Sequence, residues 1–151
     1  MIWSYSPEKR LVIWRNFRKS LENQSLYDAA KLVAAWWTNI PVASGFSTPW
    51  ATDLWPDPWS LLSSQDILDH THTSVAMAYT LWLTVGEDKE KVELAVINDR
   101  AKRQILLVVL VDKTHMINYN TGDLVDIRQL VEDVEILSSY GYSAFKSRIK
   151  A

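Results

Sequence analysis

The hydrophobic period of this chain changes once, at Gly86. Ahead of that glycine, apolar residues recur every three to four positions; beyond it they recur at every second one. A helical half followed by a strand half does not build an alternating parallel α/β sheet. It builds an α+β domain in which helices pack on one face of an antiparallel sheet. The expectation is a single domain over 1–151, helical over about 6–86, sheet over about 90–127, with an irregular tail over 128–151.

The helices announce their starts. In "SPEKRLVIWRNFRKSL", Ser6 can cap, Pro7 sits at the first helical position, and Glu8 faces the positive end of the dipole. Leu11, Trp14, Phe17 and Leu21 form the inward stripe, while Arg10, Arg15, Arg18 and Lys19 form a basic outer surface. "SLYD" at Ser25 opens a second helix that should stop near Asn39, closed by Trp36 and Trp37, because Ile40 precedes Pro41. Residues 41–55 read as a long ordered loop with Trp50 as its anchor. "WPDPW" at 55–59 then fixes the backbone. Pro56 and Pro58 each set φ, Asp57 caps the turn "PWSLLSS", and Trp55 and Trp59 pin that turn to the core. The next helix, from a cap at Ser64 to a C′ residue at Gly86, should be the central buried one.

Four strands follow. "KVELAVIN" alternates, "RQILLVVLVD" is apolar on both faces and suits the middle of a sheet, and "MINY" and "DLVDI" flank a tight turn at Asn120–Gly122. The longest apolar run, 105–111, is too short to span a bilayer as a helix, and 1–18 lacks an apolar signal core. A soluble, cytoplasmic domain is the expectation, with no membrane partner.

Composition narrows the chemistry. The chain has no cysteine, which removes disulfides, thiolate metal sites and a cysteine nucleophile. Its net charge of -2 gives no general attraction to nucleic acid. A nucleic-acid surface built from Lys9, Arg10, Arg15, Arg18 and Lys19 with Trp3 and Trp14 fails because the tryptophans fall on the apolar stripe. "DHTHT" raises a metal site, but a helix splays His70 and His72 by about 200°, and Asp66, Asp69 and His70 lack a second matching pair. No cofactor is expected. No glycine-rich phosphate loop or nucleophile elbow is present.

The segments "WPDPWSLL", "MAYTLWLT" and "LLVVLVDKTHMINYNTGDLVDI" resemble small proteins of tailed, T4-like bacteriophages assigned to the transglutaminase-like superfamily. The similarity covers about 55–127, with weaker support from Trp36–Trp37 and "NIP". The resemblance implies a transglutaminase-like fold. It also implies a nucleophile at the start of the long helix, with a histidine and a carboxylate supplied by the sheet. Many relatives carry a cysteine there; the matching place here is close to Asp69. His115 and Asp126 are then the candidates for vestiges of the other two roles.

Ser63, Ser64 and Ser74 have no sequence-visible base beside them. The resemblance therefore implies a non-enzymatic virion subunit of the tail, neck or baseplate, found in the particle or in the host cytoplasm during assembly. Its partners would be other phage structural proteins or a host protein, met through a surface containing Trp36, Trp37, Trp50, Trp55, Pro56, Asp57, Pro58 and Trp59. The rival from another class is a hydrolase or transferase whose site uses Asp69, His70 and His115.

Overall fold

The computed structural model describes residues 4–39, 49–52, 55–63 and 69–148. Two helices, α1 (Pro7–Ser20) and α2 (Leu26–Trp36), open it; the short α3 (Pro58–Ser63) and the central α4 (His70–Trp82) follow. The strands β1 (Val92–Asp99), β2 (Gln104–Val111), β3 (His115–Ile117), β4 (Leu124–Asp126) and β5 (Val134–Gly141) make one sheet, and α5 (Tyr142–Phe145) ends the described chain with a short 3-10 turn.

Local side chain to backbone bonds start the helices where the sequence places them. Ser6 accepts from Lys9 N–H ahead of Pro7, Ser25 accepts from Asp28 N–H, and Asp57 Oδ1 accepts from Ser60 N–H at 2.8 Å. Each cap satisfies an amide that the first helical turn leaves without a partner. The central helix differs from expectation. Asp69 is its N-cap, with Oδ1 accepting from His72 N–H at 2.7 Å, and it runs only to Trp82. Gly86 has φ of +56° but opens a 3-10 turn three residues beyond the Leu83 cap. The proposed cap Ser64 lies outside the described residues.

The sheet order is β4-β3-β2-β1-β5, so the doubly apolar β2 is the middle strand. Every pairing is antiparallel. Its two-residue alternation sorts side chains between two cores. Leu94, Val96, Leu107, Val109, Val111 and Ile117 meet the helices, while Ala95, Ile97, Val108, Leu110 and Met116 form a second cluster behind. α4 lies across β2 and β1, and α2 and α3 both pack against α4.

Two expectations are corrected here. The tail is not irregular: 134–141 is a strand paired with β1, bulged opposite Val96/Ile97. The run from β4 to β5 contributes Ile127, Leu130 and Val134 to the rear cluster. The rear face of β2 is thus packed against segments of this chain itself. Arg10 is not on the outer surface. It is 3% exposed, with Nε donating to Tyr5 O and Nη1 to Leu62 O, so it ties α1 to α3.

The tryptophans are the main packing material. Trp14, Trp37 and Trp82 are fully buried and Trp55 nearly so. Trp14 meets Trp59 edge-on at 5.7 Å, Trp36 stacks on Phe17 at 4.9 Å, and Trp55 packs on Tyr140 and Phe145. "WPDPW" is therefore a staple joining α3 to α1 and to the C-terminal segment. Trp50 alone of the expected interface set stands well out, at 54% exposed; most of the expected loop it was to anchor, 41–48 and 53–54, lies outside the described residues. Among the described residues no helix is long and apolar enough to cross a membrane.

Candidate functional site

The head of α4 is where a fold of this layout would carry its chemistry, because a helix N-terminus offers unpaired amides and a positive dipole end. Asp69 caps it, with its carboxylate also 3.6 Å from His72 Nδ1. His70, the first helical residue, turns to the sheet, and its Nε2 is 2.6 Å from Asn118 O. A carbonyl only accepts, so Nε2 carries the proton. Asn118 returns the bond, its Nδ2 donating to His70 O at 3.1 Å and to Ser74 Oγ at 2.7 Å. Ser74 Oγ in turn donates to Leu107 O at 2.5 Å. Asn118 adopts a left-handed φ of +67°, a conformation that asparagine tolerates better than most residues.

These bonds lock the head of α4 to the sheet. Ser74 is fully buried, its hydrogen committed to a carbonyl and its lone pair to an amide, so it has no base to activate it. Ser63 is exposed at the end of α3, and Ser64 lies outside the described residues. Burial holds the His70 pKa below its ordinary value, opposed by the Asn118 bond and the Asp69 charge and assisted by Lys102. The ring is neutral, and its buried Nδ1 meets no donor among the described residues.

A pH dependence follows. A histidine whose folded pKa lies below 6.5 binds fewer protons folded than unfolded, so stability is complete above that value and falls as pH drops through it. The expected result is a lower urea midpoint at about pH 5.5 than at about pH 8, with the gap narrowed in His70→Gln. An unchanged gap in that variant would remove His70 from the account.

His115 and Asp126 do come together, as cross-strand partners of β3 and β4, but away from the helix head. His115 pairs with Val111, and Val111 with Val92, whose carbonyl accepts from Trp82 Nε1 at the far end of α4. His115 therefore stands toward the other end of α4, three residues along the chain from Asn118. At its own end His115 Nδ1 is 2.8 Å from Thr114 Oγ1, and its ring meets Tyr27 edge-on at 5.0 Å. Side-chain and backbone bonds from Arg128 hold the Asp126 carboxylate down at about 2, in the exposed turn that Asp126 caps. Among the described residues no hydrogen bond or ion pair joins His115 to Asp69 or His70. The sheet residue that reaches the helix head is Asn118, which sequence reading passed over; its only local signal was an asparagine at a strand end, beside the "NTG" turn.

Asp66 lies outside the described residues, and among those described no group of three or more histidine or acidic side chains can hold a metal ion.

No family profile matches this chain. No curated protein matches it by sequence. Its structure is similar to LapG of Legionella pneumophila. The calcium-bound form gives a TM-score of 0.73 at 15% identity, over 93% of this chain and 80% of that one. A second LapG structure gives 0.74 over 93% and 78%, again at 15% identity. The EGTA-treated form gives 0.72 at the same identity and coverage. The chain has the transglutaminase-like fold, with helices packed on a five-stranded antiparallel sheet.

Proposed function

We propose that this chain is a non-catalytic binding protein on a transglutaminase-like scaffold. One observation carries the reading: where a cysteine enzyme of this layout needs a free thiolate, His70 is bonded to Asn118, and the chain has no cysteine. Acyl transfer through a thiolate requires a sulfur that forms and releases the acyl bond, and among the described residues no activated nucleophile stands at the helix head in its place. The resemblance of the "WPDPW" segment and the β2–β4 region to tailed-phage proteins supports a finer proposal. The chain serves as a structural or accessory subunit of a virion, bound to other phage structural proteins or to a host protein, without nucleic acid or membrane.

The alternative is retained protease-like turnover on a fold shared with LapG. It requires a base and a nucleophile to converge, and among the described residues no hydrogen bond joins His115 to Asp69 or His70. Purified protein incubated with casein and with amide substrates is expected to release no product above buffer. Turnover that disappears in His70→Ala would sink the non-catalytic reading. Mass spectrometry of purified particles is expected to find the chain; its absence would withdraw the virion assignment alone.

A further inference from the structure

A cavity of about 520 Å³ opens between α1, α3 and the C-terminal end of α4, lined by Arg15, Arg18, Lys19, Glu22, Trp59, Leu83 and Thr84. Positions 15, 18, 19 and 22 share one helical face by their three- and four-residue spacing. The core residue Trp14 borders this face, one turn before Arg18, so the face runs from the buried tryptophan out to the exposed Arg15 and Lys19. Three cations and one carboxylate surround the space. Among the described residues none of the three cations lies within ion-pair distance of an acid.

Arg18 is the unusual member. Its guanidinium sits 4.3 Å over the Trp14 ring, and its Nε is buried with no hydrogen-bond partner. Burial, and then repulsion from Arg15, pull its pKa below the ordinary value. A half-buried cation, pressed by a like charge and left with an unused donor, is an unfinished interaction. A carboxylate bound there completes it. The basicity is local, since the chain as a whole is net negative.

We propose that this cavity takes up an acidic segment of a partner protein. A carboxylate of that segment is held by Arg15, Arg18 and Lys19, and a neighbouring apolar side chain lies against Trp59 and Leu83. The inference rests on the binding reading above and names its surface and chemistry. Size and lining select a peptide. A small free anion leaves most of the volume unfilled, and sites of a few hundred Å³ normally enclose an apolar body with a few fixed polar contacts. A nucleic-acid strand presents a line of phosphates, whereas this site offers three cations, a repelling Glu22 and an apolar wall. Arginine at such a site also offers paired donors that match a carboxylate.

The test is selection of random short displayed peptides on the immobilised full-length chain, followed by fluorescence anisotropy with the synthesised winners. Enriched peptides are expected to carry Asp or Glu beside Leu, Phe or Trp, and to bind less tightly in added salt. Arg15→Ala combined with Lys19→Ala should weaken binding by about tenfold or more. Both side chains are exposed, so an unchanged melting temperature verifies the fold of that variant. Failure to enrich any peptide, or enrichment of peptides without acids, overturns the proposal. So does equally tight binding of a short oligothymidylate that depends on the same residues, or saturation of the site by inorganic phosphate alone. Peptide binding indifferent to the double variant removes the cavity assignment while leaving the binding reading intact. Cleavage of a bound peptide removes the non-catalytic reading instead.

Discussion

Replacing Trp82 by alanine is expected to lower stability by about 4 kcal/mol, the scale of a buried tryptophan truncation. Trp82 is the last residue of α4, 1% exposed, and its indole N–H donates to Val92 O at 3.0 Å. Its ring stacks on Phe145 at 5.3 Å and meets Tyr79 edge-on at 5.5 Å. One side chain thus joins the central helix, the first strand and the C-terminal helix. Truncation opens a cavity among all three and leaves the Val92 carbonyl without its indole donor. For a domain of this size the melting temperature should fall by about 10 °C. Thermal and urea unfolding of the two proteins check it. A loss below about 1 kcal/mol would mean that Phe145 and Tyr142 collapse into the space and that the joint is dispensable.

Thr80→Val is expected to cost about 3 kcal/mol although it removes only a hydroxyl. Thr80 Oγ1 accepts from Trp14 Nε1 at 3.0 Å and from Trp37 Nε1 at 3.3 Å, and donates to Ala76 O at 2.7 Å. All three side chains are buried, so valine of matching shape orphans two indole donors that water does not reach. Thr80→Ser keeps the oxygen and should recover most of the loss, leaving about 1 kcal/mol for the missing methyl. Equal destabilisation by valine and serine would show that packing, not the shared acceptor, holds α1 and α2 to α4.

These two residues show where sequence reading reaches and where it stops. The Ser6, Ser25 and Asp57 caps were legible because each involves a bond between residues three apart. Four strands were legible, β1 from its alternation, β2 from its continuous apolar run, and β3 and β4 from the turn between them. β5 was not, because it is an edge strand in which Ile136 and Leu137 stay about half exposed and the pairing with β1 slips at a bulge. The Thr80 hub carried no signal at all: a threonine inside an apolar helix gives no notice that indoles 43 and 66 residues away will bond to it.

The candidate site divides in the same way. Asp69 was reached through the resemblance, whereas the local signals started the central helix at Ser64, five residues ahead of the Asp69 cap. His115 and Asp126 are cross-strand partners, and among the described residues neither bonds to the helix head. Asn118 reaches it instead, 48 residues along the chain from His70. Arg10 shows the opposite error, an arginine expected on the surface and found buried against two carbonyls.

What the amino-acid sequence determined unaided is whatever is local or compositional: the change of period, the caps, and the lack of any sulfur nucleophile. Only the tertiary structure decided which tryptophans became core, which strand closed the sheet, and which sheet residue met the helix. Those outcomes depend on contacts between distant segments, and such contacts form only when the whole interior packs at once.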